Sequence, residues 1–93
     1  MRNYSRLFVD GAWQRPSGQG LAEVINPATE QVAGSVPLGD ERDVERAVAA
    51  ARRAFGAWSR TSSSVRAAYI RALGEQLRAR ADEMAQVITA ELG

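Results

Sequence analysis

Two prolines and a run of alanines fix the order of elements in the middle of this chain. From Val24 to Trp58 it reads VINPATEQVAGSVPLGDERDVERAVAAARRAFGAW: a β-compatible run, an Asn26-Pro27 turn, a second β-compatible run, a corner at residues 37–40 and then a helix. Proline cannot donate to a sheet ladder and restricts the residue before it, so the strand over residues 21–25 stops at Asn26. Residues 31–36 form a second strand, with Val32 and Val36 in one pattern and Gly34 as the mark of a bulge. Pro37, Leu38 and Gly39 then turn the chain into the helix.

The helix carries the strongest signals. Asp40 suits the N-cap, Asp43 stands where the acid of a capping box belongs, and Glu41 adds negative charge at the positive end of the dipole. Val44, Ala47, Val48, Ala51, Phe55 and Trp58 recur at spacings of three and four. That pattern predicts a helix over about 41–57 with one buried apolar stripe, Arg42, Glu45, Arg46, Arg52 and Arg53 largely lying elsewhere. The alanines permit close packing, so this helix is a packing element.

Before it, residues 7–9 and 12–14 flank Asp10-Gly11, a dipeptide suited to a type I′ hairpin turn. Trp13 is expected to pack inward, as aromatics tend to. Residues 15–20 (RPSGQG) are turn-rich and expected at the surface. Gly18 and Gly20 precede a strand, so they do not make a phosphate cradle, which needs a helix N-terminus. The strands, about 7–36, thus form two short hairpins ahead of all helices, an α+β grouping with no dinucleotide fingerprint. After Trp58 a Ser/Thr-rich break offers Thr61 or Ser62 as cap for a helix over about 64–80, with Tyr69, Ile70, Leu73 and Leu77 toward the core. A last helix, about 82–92, is expected to bury Met84, Val87, Ile88 and Leu92.

Composition narrows the chemistry. With 45% apolar and 25% charged residues, the 93-residue chain is globular or part of something globular. Its net charge of +1 argues against nucleic acid. Acids interleave with the arginines, and Arg71 with Glu75 and Arg78 with Asp82 read as helix-surface pairs. No cysteine and no histidine occur. Thiolate nucleophiles, the usual general base and the usual zinc ligands are therefore excluded. Glu75, Asp82, Glu83 and Glu91 sit beside arginines and read as surface ion pairs, not acid–base catalysts. No run has membrane-spanning length, and acids punctuate the polar face of residues 65–92, so a membrane partner is not expected. The N-terminus lacks the apolar core of a signal peptide, which points to the cytoplasm. A chain this short, without disulfides or a ligand cluster, has little to stabilise it alone.

The residues Phe8–Trp13 (FVDGAW), Asn26–Thr29 (NPAT), Asp43-Val44, Ala47-Val48, Ala50-Ala51, Ala54-Phe55 and Trp58, in this order, resemble the N-terminal end of the NAD(P)-dependent aldehyde dehydrogenase family. The likeness covers nearly the whole chain and implies an α/β fold, of which residues 1–93 are an incomplete N-terminal segment of the coenzyme-binding domain. It departs from the family where Ser63 and Val65 replace a common proline and glutamate. The family continues past the motif matched by Glu91-Leu92-Gly93. Its members oxidise an aldehyde to an acid with NAD or NADP, using a cysteine nucleophile and a glutamate base that lie beyond the matched region. No catalytic and no cofactor-binding residue transfers to this chain, which is expected to be inactive and to bind no dinucleotide alone. Some members hold a structural monovalent cation through the two residues before the Asn-Pro turn, here Val24 and Ile25, plus a carboxylate further along. Val24 replaces a threonine common at that site, and a backbone carbonyl of Ile25 remains available. The implied partners are the remainder of the dehydrogenase fold and, when complete, further copies in a homo-oligomer. The alternative is a non-catalytic truncated module that pairs with itself or with a full-length relative through exposed helical faces.

Overall fold

The computed structural model describes residues 2–93. Five strands precede three helices: β1 (Arg2–Asn3), β2 (Leu7–Val9), β3 (Ala12–Gln14), β4 (Gly20–Asn26), β5 (Gln31–Leu38), α1 (Glu41–Trp58), α2 (Ser63–Ala79) and α3 (Ala81–Leu92). Strands β2 and β3 form the expected hairpin, in register Leu7 with Gln14, Phe8 with Trp13 and Val9 with Ala12. Asp10 and Gly11 both have positive φ, 55° and 74°, as a type I′ turn demands.

The second hairpin joins β4 to β5, and the NPAT motif builds its turn. The Asn26 side-chain oxygen accepts from the Ala28 amide at 2.9 Å, and its carbonyl accepts from the Glu30 amide at 2.7 Å. Glu30 takes the left-handed conformation, φ 61°, that closes the turn. The bulge is present, one residue from its expected place. Val24 pairs with Gly34 and Ile25 with Val32, which leaves Ala33 as the extra residue. Gly34 serves a different need: a Cβ there would come to 2.1 Å from the Arg2 carbonyl oxygen. That close approach belongs to β1, a strand absent from the sequence reading, which pairs in parallel with Gly34 and Ser35. The sheet order is therefore β1-β5-β4.

Pro37 and Leu38 remain in β5, paired with Leu21 and Gly20, whereas the sequence placed them in a corner. The Ser35 carbonyl accepts from Tyr4, so odd-numbered positions of β5 point their backbone groups toward β1. The registered pairing with β1 stops at Ser35, so the missing N–H of Pro37 breaks no ladder bond.

The helices begin and end as their caps dictate. Asp40 and Asp43 make a full capping box at α1. Ser62 caps α2 by accepting from the Val65 amide at 3.3 Å, although the family's glutamate is missing. Between these helices, Ser59 and Thr61 donate their hydroxyls to the carbonyls of Gly56 and Trp58 at 3.1 and 2.7 Å, satisfying the free end of α1.

Packing departs most from expectation. The chain is a slab of 48 × 34 × 16 Å with a radius of gyration of 16.8 Å, against about 12 Å for a compact domain of this length. A helix alone is roughly 10–12 Å across, so the slab is at most two elements thick and no element is enclosed. Helix α3 lies on β4, α1 on β2, and α2 touches α3. Ala50 is the one buried apolar side chain among the described residues. The stripe of α1 is open, with Phe55 69% exposed, and the face turned inward carries Asp43 and Ala50 instead. Tyr69, Ile70, Leu73, Leu77, Met84, Ile88 and Leu92 are likewise exposed, and Val87 is half-buried. Trp13 stacks on Tyr4 at 6.1 Å and meets Phe8 edge-on at 5.3 Å, yet stays exposed. The periodicity picked out the apolar faces, but the burial expected of them is absent: within these residues they stay open.

Heated alone, the chain should give no cooperative calorimetric transition, because it encloses almost no apolar surface. An endotherm of about 60–70 kcal/mol, the size expected of a two-state domain of this length, would contradict this packing.

Candidate functional site

The residues that approach a site fall in two places: the start of α1 and the bulge of β4 and β5. At the start of α1 the turn-rich segment 15–20 is not loose. The buried Asp43 carboxylate accepts from the amides of Ser17 at 2.8 Å, Gly18 at 3.0 Å and Asp40 at 2.9 Å, and from the Arg46 guanidinium. The Ser17 hydroxyl donates to the Asp40 carboxylate, and Arg46 also reaches the Arg15 carbonyl at 3.5 Å. Gly18 allows the loop to lie this close, since a Cβ there would meet the Leu38 carbonyl oxygen at 2.4 Å. One acid thus caps the helix and pins a loop more than twenty residues upstream.

Charge follows from that geometry. The hydrogen bonds from Ser17, Asp40 and Gly18, aided by Arg46, outweigh the burial of Asp43 and hold its carboxyl well below the usual range. The Ser17 and Gly18 amides that a phosphate would need are taken. Asp40, Glu41 and Asp43 also put negative charge at this helix N-terminus, so it does not fit the pyrophosphate of a dinucleotide.

Val24 and Ile25 are neighbours in β4 and face opposite ways. Val24 is half-buried and lines a cavity of about 290 Å³ between the sheet and α3, with Gly34, Val36, Val87 and Ala90. Ile25 is exposed and pairs with Val32 beyond the bulge. Among the described residues no three acidic side chains gather as a metal site. Oxygen donors at these two positions are main-chain carbonyls only, an incomplete set for a hard cation.

The carboxylates of α2 and α3 are engaged differently from the sequence reading. Among the described residues the ion pair formed here is Arg80 with Glu83, through two hydrogen bonds of 2.8 Å, and Arg2 approaches Glu83 at 3.8 Å. Arg71–Glu75 and Arg78–Asp82 do not come within ion-pair distance. The bond to Arg80 holds Glu83 below the usual carboxylate range and pushes Arg80 up. Arg80 is the joint between the helices, which explains the choice: it caps α2, and its side chain turns onto the first turn of α3.

The backbone described above has counterparts among known proteins. The family model for the aldehyde dehydrogenase family matches residues 13–93. The chain belongs to the aldehyde dehydrogenase family. It is 47% identical over 93 residues to a 3-succinoylsemialdehyde-pyridine dehydrogenase of Pseudomonas sp, covering 100% of this chain and 20% of that protein. It is 38% identical to the chloroplastic betaine aldehyde dehydrogenase of Beta vulgaris, covering 95% of this chain and 19% of the relative. Among solved structures, an aldehyde dehydrogenase from Bartonella henselae superposes with a TM-score of 0.93 at 32% identity, over 97% of this chain and 19% of that one. An aldehyde dehydrogenase of Mycobacterium tuberculosis complexed with NAD+ gives 0.90 at 41% identity, over 96% and 19%. The chain therefore spans about a fifth of the length of these aldehyde dehydrogenases. Its mixed α/β fold is that of their matching segment. No helix among the described residues is long and apolar enough to cross a membrane.

Sequence reasoning found Asp43 as a cap and missed its grip on the loop. The available signal was residues 15–18, whose backbone amides need partners and whose Gly18 permits a close approach. Because folding favours the Asp43 carboxylate, its contribution is complete above the ordinary aspartate value of about 4 and fades as the pH falls below it. In far-UV circular dichroism the helical signal of the chain should be flat from pH 8 to 5 and drop below 4. Asp43→Asn should lower it at neutral pH and blunt the acid step; an unchanged titration would refute this assignment.

Proposed function

We propose that this chain is the N-terminal structural segment of an NAD(P)-dependent aldehyde dehydrogenase. The observation that carries the reading is the match of nearly the whole of this chain to about a fifth of each family member in both sequence and backbone, joined to the open apolar faces of all three helices. Its part in the enzyme is architectural. The hairpins and α1 give the coenzyme-binding domain a rigid flank, and the Asp43 clamp fixes how strand β4 enters the sheet.

The chemistry of the complete enzyme is oxidation of an aldehyde to a carboxylic acid. It requires a thiolate nucleophile, a donor to the developing oxyanion, a base for water and a hydride acceptor. This chain has neither cysteine nor histidine, and the start of α1 does not suit a dinucleotide. We assign the first three functions to residues outside the segment and the hydride acceptor to bound NAD or NADP. The backbone carbonyl of Ile25, beside the bulge, is proposed as one ligand of a structural monovalent cation whose carboxylate lies further along the fold. The partners proposed are the remainder of the dehydrogenase and further copies of the complete protein, in the cytoplasm, with no role for nucleic acid.

Two measurements test this. The 93-residue chain alone should produce no NAD(P)H from any aldehyde above a protein-free blank. A chimera in which the remaining four fifths of the Pseudomonas relative continue from Gly93 should fold and oxidise aldehydes. A folded but inactive chimera, or turnover by the isolated chain, would overturn the reading.

A further inference from the structure

Helices α2 and α3 meet at a single residue, Arg80, and the local sequence does not demand a break there. Residues 77–84 read LRARADEM, without the proline, glycine or serine that usually causes a sharp kink. Leu, Arg, Ala, Glu and Met are strong helix formers.

The backbone bonds show what the break removes. The Arg80 amide reaches the Gln76 carbonyl at 3.1 Å and the Met84 amide reaches the Arg80 carbonyl at 3.0 Å, both in α-helical spacing. Between them the Ala81, Asp82 and Glu83 amides make no such bond among the described residues, and no side chain caps them. Local charges lean the other way. Asp82 and Glu83 stand in the first turn of α3 and Arg78 in the last turn of α2, where each favours a helix end. These exposed, screened charges roughly offset the missing bonds, whose net value in water is small. The Arg80–Glu83 pair spans three residues and suits a continuous helix as well as a break. Local interactions thus leave the two forms close in free energy, and a tertiary contact decides.

That contact lies on one side of α3. Glu83, Val87 and Ala90 are half-buried there, Val87 and Ala90 across a cavity from Val24 of β4. The apolar stripe is on a different face and runs through the joint in phase. Ile70, Leu73, Leu77, Ala81, Met84 and Ile88 follow one another at steps of three and four. At about 100° per residue they fall within an arc of about 80° on one straight helix.

We propose that the joint at Arg80 is a two-state hinge. While α3 is off the sheet, residues 63–92 form one continuous helix; when Val87 and Ala90 seat against β4, that helix bends at Arg80. The long helix needs no contact distant in sequence, so it forms first, and the bend follows the pairing of β4 with β5.

The chain has no cysteine, so spin labels placed through Arg71→Cys and Thr89→Cys attach nowhere else. Positions 71 and 89 lie about five turns and about 27 Å apart along a continuous helix, and any bend brings them closer. Double electron–electron resonance on labelled chain diluted in unlabelled chain should resolve a population near 27 Å and a shorter one. Val87→Lys removes the seat beside Arg2 and keeps a helix former, and should move most molecules to the long population. Ala81→Gly weakens a helix interior more than a first turn, and should lower the ratio of long to short by up to about fivefold. A single short distance in both the parent and the Val87→Lys chains overturns the proposal, as does a ratio that Ala81→Gly leaves unchanged. A broad, featureless spread in the parent chain, the mark of no helix across the joint, also overturns it. If Val87→Lys alone gives such a spread, the Ala81→Gly ratio in the parent decides.

Discussion

A body 16 Å thick has no interior, and that constraint explains most of what this chain does. Burial of apolar side chains is the main favourable term in folding, and here, among the described residues, the enclosed apolar side chains reduce to Ala50. Everything else that holds the elements together is hydrogen bonding and local packing: hairpin ladders, helix caps and one loop clamp. Such interactions set shape well and contribute little net stability, because water competes for the same groups. The shape is therefore specified in detail, and its stability depends on what covers it.

Asp43 is the clearest case of how that shape is set. At the third position of a helix, an acid ordinarily satisfies one or two free amides. Here it collects three amides and a guanidinium, tying the loop after the first hairpin to the start of α1. The entry of β4, the corner into the helix and the seat of α1 on β2 are fixed together. Gly18 and Gly34 do the equivalent work for the backbone, each standing where a Cβ would strike a carbonyl oxygen.

The order of elements was legible because it depends on local chemistry: Asp-Gly for the first hairpin, Asn-Pro for the second, Asp40 and Ser62 for the helix starts. What was illegible depended on contacts distant in sequence. Strand β1 is two residues long and carries no pattern of its own; it exists because Gly34 leaves room for it. Pro37 reads as a breaker, yet stays in a strand paired with Leu21, because the pairing with β1 on the side its nitrogen faces has ended. The apolar stripes on α1, α2 and α3 were legible from their spacing, and were assigned to a core that these residues do not contain. Val24 and Ile25, the one pair suggested as a site, fall at the bulge with only main-chain oxygens to offer, and the loop clamp at Asp43 went unseen.

The central claim is that these elements gain their stability from surfaces that lie outside them. The most direct measurement is amide hydrogen exchange by mass spectrometry across α1, α2 and α3, in the isolated chain and in the chimera that continues it. The account predicts only weak protection of the helices in the isolated chain, greatest at the clamped start of α1, and strong protection of the same peptides in the chimera. Equal and strong protection in both would contradict it, showing that the slab is stable by itself.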